Sequence, residues 1–537
     1  MSWLKGRNAF KFGEDLRLYK GAVSNPQTQP QGRFSFDANY TSNRGASGTG
    51  YSFASFMLGY PNLVQRDVVN TWPEVTNTFL GLFAQDDIHL NQQWSLQLGL
   101  RWDLMTPPVQ ADNRQSNFSL TDGLIHVASD TDRTAAVDTH HDYLAPRLGV
   151  AYSPDNGKTA VRAAFGVSYF ADNFGANGGT NERNYPFFQQ VDLNTPTTFA
   201  PFRSVSDGLP SFTPLTIPAG SSVAPPAGFA VFYIPAHFHV DTATMWNAGV
   251  QRELGWNTMG EISYVGTRGT NLFRSYNINV PDPGPGAVQQ RRPYFSIAPT
   301  ITTINMRDGD GKSWYDALQI KFDKRFSRGF QALVSYTYAK TTDNVTPAGV
   351  APQLSNVVMP ALSKTIDIPH IFIASWTYEL PSMKGGGAVA RTFTGGWSVS
   401  GMTNYHSGDP LDLRVSSSQL NNGGGNWVDQ TCSSVGMPRT VEMWFETSCF
   451  ANPAQYQFGN YTIGNVRGPS VFNTDISAAK RTAIGRAVAE VRVDIFNLFN
   501  RAHFANPATT FGNATFGTIS ATRLTPREGQ LGFRLLF

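Results

Sequence analysis

The sequence predicts an all-β chain that forms an antiparallel transmembrane β-barrel. Three observations predict this fold class: strand-length segments alternate apolar and polar residues, short turns alternate with long loops, and the composition is poor in charge but rich in aromatic residues and glycine. Lipid cannot satisfy backbone N–H and C=O groups, so strands that cross a bilayer pair with one another in a barrel wall. We expect about sixteen strands, within a single β-barrel domain that covers residues 1–537.

The alternation is clearest in the segment from Gln93 to Leu104. Trp94 and the residues that follow at every second position are apolar, and the positions between them include Arg101 and Asp103. Side chains of a strand point alternately to its two faces, so one face is apolar and the other carries charges that require water. A lipid-facing wall and a soluble sandwich with a buried apolar face both fit this pattern. Similar segments occur at 161–169, 318–323, 330–340, 397–405 and 491–495.

The polar face of these segments carries charges of alternating sign. Such residues either line a path for a solute or form ion pairs that brace the wall, and the alternation of sign favours bracing. Both interpretations place the residues on the water-filled side of a barrel. The lumen-facing candidates are Gln97, Arg101, Asp103, Arg162, Lys321, Asp323, Arg492 and Asp494.

Connections of two kinds alternate along the chain. Tight turns are expected at Asn91-Gln92, at Pro154–Gly157, at Gly255-Trp256 and at 327–329, where Asn and Gly residues suit hairpins. Antiparallel strands joined in this way place all long loops at one end of the wall, as in outer-membrane barrels. The long connections are expected at about 105–142, 171–240, 268–312, 341–366, 407–470 and 501–526.

The composition supports the same class and excludes others. Charged residues make up 15% of the chain and aromatic residues 13%, whereas a typical globular domain has about 25% charged residues. No apolar run of about 18 residues is present, so no transmembrane helix is expected. The formal net charge of +3 is too small to indicate a nucleic-acid partner.

The last eleven residues predict the final strand. Leu531, Phe533, Leu535 and Phe537 fall on one face, and polar or small residues occupy the other. We expect this strand to pair on one edge with the strand around Val491–Asn500 and to leave its second edge free. The alternative is a ladder to a first strand at Asn8–Tyr19 that closes a smaller, porin-like barrel. An ordinary edge strand of a soluble β-domain would show the same alternation.

The end of this strand resembles the C-terminal signal that bacterial outer-membrane proteins present to their assembly machinery. The matching residues are Gln530, Gly532, Leu535 and Phe537, in the pattern Gln530-x-Gly532-x-x-Leu535-x-Phe537. The resemblance implies that the assembly machinery and the lipid of the outer membrane are partners of the chain.

The two cysteines, Cys432 and Cys449, lie in a region rich in Gly, Asn and Ser without a neighbouring histidine. A zinc site is therefore not expected here. In an oxidising compartment we expect a disulfide that closes an outward loop, and two unpaired thiols are the alternative.

Candidate metal ligands are few. His237 and His239 are expected on one strand face and His140, His141 and Asp142 in a loop, where a solvated or structural role is favoured over metal binding. Asp308–Gly311 begins like a calcium loop, but position twelve is Gln319 instead of Glu, which favours an outward hairpin tip. Nucleotide-binding, hydrolase and zinc-protease motifs are not found. We predict no enzyme activity, cofactor or metal.

The combined motifs resemble TonB-dependent receptors, most closely the Oar-like group that carries a carboxypeptidase-regulatory-like domain. The resemblance follows the chain in order over nearly its whole length, and each motif alone is weak. These motifs match positions in a barrel wall, not a substrate site. The matching segments are Phe79–Asp87, Trp94–Trp102, Ala145–Tyr152, Trp246–Glu253, Tyr264–Gly269, Tyr315–Gln319, Val334–Lys340 and Val493–Asn500.

The resemblance implies the outer membrane of a Gram-negative bacterium, energised transport of an unknown substrate, and the TonB energy-coupling complex as a partner. Plugged outer-membrane transporters use barrels of about 22 strands. A signal peptide, a regulatory-like domain, a TonB box and a plug are not visible near Met1. We therefore expect the chain to be the C-terminal barrel portion of a longer protein, which reaches TonB through the missing part. A passive porin-like channel and a surface adhesion or assembly scaffold are the alternative functions.

Overall fold

The computed structural model of the protein describes most of the chain. The predicted connections 171–240 and 341–366 lie partly outside the described residues. The described residues are 1–22, 31–44, 46, 48–69, 74–170, 184–194, 200–211, 217–345, 361–362, 367–382, 387 and 393–537.

In the described part of the chain, fifteen strands form one antiparallel wall in which each strand is a neighbour of the next. The fold class predicted from the sequence is confirmed, and the count of fifteen is close to the expected sixteen. The wall strands are β1 (Ser2–Lys5), β2 (Asn8–Ala22), β3 (Glu74–His89), β4 (Trp94–Met105), β5 (His140–Tyr152), β6 (Thr159–Phe170), β7 (Asp241–Gly255), β8 (Thr258–Asn277), β9 (Thr303–Ser327), β10 (Phe330–Asp343), β11 (His370–Glu379), β12 (Trp397–His406), β13 (Val471–Ile484), β14 (Ala487–Phe496) and β15 (Glu528–Leu536).

The ladders run without a crossover from β1 to β15. The final strand pairs with β14 from Val488 opposite Leu536 to Phe496 opposite Glu528, as expected from the sequence. In the described part of the chain, no ladder joins β15 to β1 or β2.

The wall is a single layer, and the described residues form no second sheet packed against it. On β4, Leu98 and Leu100 are 45% and 52% exposed, and Gln97 on the opposite face is exposed as well. A soluble sandwich would bury the apolar face of the strand. The exposure of both faces therefore excludes the sandwich and fits lipid on one side and water on the other.

The connections alternate as the sequence predicts, with differences in detail. The predicted long connections at 105–142, 407–470 and 501–526 are confirmed, the one at 268–312 is shorter, over 278–302, and a further connection over 23–73 was not predicted. Strands β8 and β9 also extend further than expected, because glycine-containing polar segments continue their ladder. Asp308 and Asp310 consequently lie inside β9, so the predicted hairpin tip at 308–311 is wrong.

The long connections fold together at one end of the wall into an outer head. Its best-buried side chains include Phe118, Ile301 and Phe445, whereas apolar side chains of the wall strands remain exposed. Helix α1 (Ser52–Met57) lies in the first long connection, and no helix among the described residues is long and apolar enough to span a membrane.

The connections also contain short elements. Short strands are Arg33–Ser35, Leu63–Val69, Val109–Gln110, Ser116–Phe118, Ile125–Val127, Phe188–Asn194, Ser222–Val223, Ala230–Tyr233, Ala361–Leu362, Arg414–Val415, Asp429–Gln430, Phe450–Ala451 and Thr510–Phe511. Single 3-10 turns lie at Asn39–Thr41, Ala111–Asn113, Asp155–Gly157, Val205–Asp207, Gln289–Arg291 and Thr447–Cys449.

Candidate functional site

The polar face of the wall is continuous from β2 to β15. Residues directly opposite each other in neighbouring strands share a face. Gln97 lies opposite Gly149, and Ser263, Gln319 and Ser477 lie on the same face in the strands that follow, because residues two positions apart in a strand share a face. All eight lumen-facing candidates lie on this one face, and its assignment to the lumen stays a prediction.

Four charged side chains on β2 and β4 form a connected ladder on the polar face. The Arg101 Nε donates to Asp103 Oδ1 at 2.6 Å, and a second Arg101 nitrogen lies 3.6 Å from Asp15. Asp15 also accepts from Arg17 at 2.7 Å. Because β3 separates these strands, the long Arg101 side chain reaches across Gly81, where a Cβ atom would lie 2.0 Å from the guanidinium. Gly81 therefore makes room for the ladder.

A second group lies nearer the short turns. Lys11 Nζ donates to Asp87 at 2.8 Å, and the amide of Gln97 donates to the same carboxylate at 3.0 Å. Sequence reasoning did not single out Lys11 or Asp87, although the same alternation passes through β2. Exposed ion pairs of this kind are worth about 0–1 kcal/mol each, so these contacts position side chains more than they stabilise the wall.

The other lumen-facing candidates divide into paired and unpaired residues. Arg492 pairs with Asp494 at 2.8 Å, and Arg162 donates to the Gln251 side chain at 2.7 Å. In the described part of the chain, Lys321 and Asp323 have no ion-pair partner within 4.0 Å. The bracing interpretation therefore suits Arg101, Asp103, Arg492 and Asp494, and leaves Lys321 and Asp323 as the candidates with free charges.

A cavity of about 700 Å³ opens on the polar side of β9 to β14. Asp323, Asp475 and Asp494 contribute carboxylates to its lining, and Lys324, Arg325 and Arg492 contribute an equal number of cationic side chains. Serine and threonine hydroxyls from β11 and β12 complete the polar part of the wall here. The arrangement can bind a small polar or polyhydroxylated solute by hydrogen bonds and charge.

The predicted C-terminal signal lies on both faces of β15. Gln530 is opposite Asp494, Gly532 is opposite Arg492, and Leu535 is opposite Ala489 on the other face. Phe537 follows the strand and is 99% exposed. Recognition by the assembly machinery stays a prediction.

The two largest hydrophobic cores among the described residues lie in the outer head. One joins the connection 407–470 to the connection 497–527 and includes Leu413, Phe445, Phe450 and Phe516. The other joins three connections and includes Phe118, Ile125, Val231 and Ile301. Burial within the first core also raises the pKa of the Tyr461 hydroxyl, which donates to the Leu411 carbonyl at 2.9 Å. The head is therefore a packed structure and not a set of independent loops.

A disulfide joins Cys432 to Cys449 at the edge of the first core. Their Cα atoms are 5.1 Å apart, within the range that a disulfide requires. Cys449 is buried beside Phe450, and Cys432 packs on the same cluster.

Replacing both cysteines with serine is expected to destabilise the outer head by about 3 kcal/mol, because a loop of this size is no longer closed in the unfolded state. The wall should keep its stability, since no wall strand depends on this bond. Limited proteolysis of the segment 407–470 with and without reductant measures the effect. Equal protease resistance of the reduced and oxidised protein would contradict the prediction.

Several histidines meet where the head joins the wall. The rings of His140 and His239 stack with centroids 3.8 Å apart, and His237 Nδ1 lies 2.9 Å from Asp138. Two expectations are wrong here: His140 begins strand β5 instead of lying in a loop, and neither His237 nor His239 is in a strand. The long connection before β7 folds back over the start of β5, which local periodicity does not encode.

Comparison with known proteins gives the family. Residues 1–530 match the family described as the outer membrane beta barrel domain. The chain belongs to this family. The outer-membrane barrel domain places the chain in the outer membrane of a Gram-negative bacterium.

Solved structures of outer-membrane receptors align with the barrel domain at low similarity. The ferripyoverdine receptor of Pseudomonas aeruginosa is 11% identical, with 98% of this chain and 45% of the receptor covered and a TM-score of 0.44. The siderophore receptor PiuA of Acinetobacter baumannii is 12% identical, with 100% and 54% covered and a TM-score of 0.43. The FrpB iron transporter of Neisseria meningitidis is 12% identical, with 99% and 53% covered and a TM-score of 0.43.

The chain spans about half the length of these three proteins. A comparison of this chain with curated proteins found no match in sequence.

Proposed function

We propose that the chain is the barrel wall of a TonB-dependent outer-membrane transporter of the Oar-like group, which imports a solute with energy from the TonB complex. The observation that carries the proposal is the continuous polar face of the wall, which runs beneath a packed outer head. A polar face of this extent suits a path for a solute, and a packed head suits selective capture at the outer surface. The resemblance in segments such as Phe79–Asp87 and Val493–Asn500 supports the TonB-dependent assignment.

Free charges on the polar face are the best candidates for contact with a solute. Lys321 and Asp323 extend from β9 without an ion-pair partner among the described residues, and Asp323 lines the cavity beside Arg492. We propose these side chains as part of the solute path and the paired residues Arg101 and Asp103 as bracing. The outer-membrane assembly machinery and lipid are the other proposed partners, and no enzyme activity is proposed.

Genetic interaction with TonB tests this function. We expect deletion of the gene that encodes the chain to cause a growth defect in particular nutrient-limited media. Deletion of TonB in the same strain should cause these growth defects and others as well. In those media, the double mutant should grow as well as the TonB mutant. A matched strain with Lys321→Gln should be affected in the same media, and one with Arg162→Gln less so.

Other outcomes would overturn the proposal in different directions. An additive defect in the double mutant would indicate a passive channel, which works without TonB. Normal growth together with loss of surface attachment would indicate an adhesion or assembly scaffold, for which the packed outer head would be the binding surface.

A further inference from the structure

We propose that His140, Asp142 and His239 form a binding site for one divalent transition-metal ion, of which Zn²⁺ is the representative. One ligand atom from each of the three side chains lies within 4.8 Å of the other two. Ligands around a tetrahedral ion with bonds of about 2.0–2.2 Å are separated by roughly 3.3–3.6 Å. Small side-chain rotations therefore bring the three atoms to coordinating distance.

The two imidazole rings contact each other and the Tyr143 ring, but their side chains make no hydrogen bonds among the described residues. The His140 Nε2 atom is enclosed by the protein and has no hydrogen-bond partner. A buried nitrogen without a partner is costly, and a metal ion would satisfy it. The rings of His140 and His239 are stacked face to face, tilted by 27°, and rotation of one ring turns both nitrogens toward a common ion. Among the described residues, neither ring nor the Asp142 carboxylate makes a side-chain hydrogen bond.

The residues next to the ligands pack the start of β5 against the connection that precedes β7. Tyr143 follows Asp142 and is 2% exposed, and Val240 follows His239 and is fully buried in the same cluster with Met105. The backbone N–H of Val240 donates to the Tyr143 hydroxyl at 3.3 Å. The ligand positions are consequently set by a small rigid core at the base of the head, as a preorganised metal site requires.

The surrounding charges favour a cation. Asp142 supplies a carboxylate to the site, and Asp138 lies beside it, 2.9 Å from His237. The carbonyl of His239 lies against Gly309 of β9, where a Cβ atom would lie 2.4 Å from it, so the site also borders a third segment of the chain. Two imidazoles and one carboxylate suit Zn²⁺, Co²⁺ or Ni²⁺ better than Ca²⁺ or Mg²⁺, which prefer oxygen ligands.

The ion would act as a clip between the outer head and the wall. It would tie the start of β5 to the connection that precedes β7, two segments about 100 residues apart. This role is independent of the proposed transport function, because the site borders Gly309 at the head end of β9, twelve residues along that strand from Lys321.

Metal titration of the purified full chain in detergent tests the proposal. We expect one equivalent of Co²⁺ to give ligand-field absorption, Zn²⁺ to displace it, and Zn²⁺ to raise the melting temperature. His140→Ala, Asp142→Asn and His239→Ala should each weaken Co²⁺ binding at least about tenfold, because even residues that only orient a metal ligand are worth 10–100-fold in affinity. His237→Ala is the matched control, since His237 lies beside the site but pairs with Asp138, and its affinity should match the wild type.

Absence of Co²⁺ binding by the wild-type chain would overturn the proposal. So would wild-type affinity in His140→Ala and His239→Ala, or an equal loss in His237→Ala, which would indicate binding elsewhere in the head. Far-ultraviolet circular dichroism of each variant separates lost ligands from lost folding. Asp142→Asn, which keeps the shape of the side chain at an exposed position, remains informative if a histidine variant fails to fold.

Discussion

Replacing Phe445 with alanine is expected to destabilise the outer head by about 3–5 kcal/mol, the usual cost of truncating a buried phenylalanine. Phe445 has 0% exposure and contacts Phe450 and Phe516 edge to face, with ring centroids 5.6 Å and 5.1 Å away. Its removal leaves a cavity where two long connections meet, 407–470 and 497–527. The head should therefore open locally while the wall stays folded.

Amide hydrogen exchange measures this loss in the folded protein. The amides of Thr431 and Tyr461, which donate to carbonyls across the head, should exchange faster in the variant. Phe499→Ala is the control, because Phe499 is 66% exposed in the connection 497–527 and its truncation should change little. Unchanged protection in Phe445→Ala, or faster exchange in the β4–β5 ladder, would show that the head is not a separate packed unit.

Replacing Leu98 with arginine is expected to destabilise the wall by about 2–4 kcal/mol if the residue lies near the bilayer midplane, because the charge must enter lipid. Leu98 is in the middle of β4, 45% exposed on the apolar face and opposite Leu148. Gln97→Arg places the same charge one residue away on the polar face, where water is available. Gln97→Arg should therefore destabilise the wall much less than Leu98→Arg.

Reversible denaturant unfolding in lipid vesicles compares the two variants. Cysteine variants at the same positions give an independent check, since an aqueous thiol reagent should modify Cys at position 97 and not at position 98. A greater loss for Gln97→Arg, or labelling of position 98 alone, would mean that the faces of the wall are assigned in reverse.

The faces and turns of the wall could be read from the sequence because both are local properties. Successive side chains of a strand point to opposite sides, so the alternation from Trp94 to Leu104 predicts both faces without knowledge of any neighbour. Gly255 and Trp256 likewise mark a tight turn by their own residue types. The connection 23–73, in contrast, was not predicted.

The ion pairs of the wall depend on register as well as on pattern. Lys11 and Asp87 are 76 positions apart, and their contact exists because β2 and β3 pair with Ala9 opposite Asp87. The sign alternation of Arg101 and Asp103 did predict pairing, since those two residues are neighbours on one face of one strand. The unpaired state of Lys321 could not be predicted, because it depends on what the adjacent strands place beside it.

The sequence by itself determined that this chain is a barrel wall with one apolar face, one polar face and long loops at one end, because these features repeat at short range. Only the tertiary structure decided how the loops pack, for example that Asn117 donates to the Ile234 carbonyl and that His140 meets His239. Contacts between segments about 100 residues apart carry no local period. They form only when the ladders bring the loops to the same end of the wall and burial of their apolar side chains selects one arrangement.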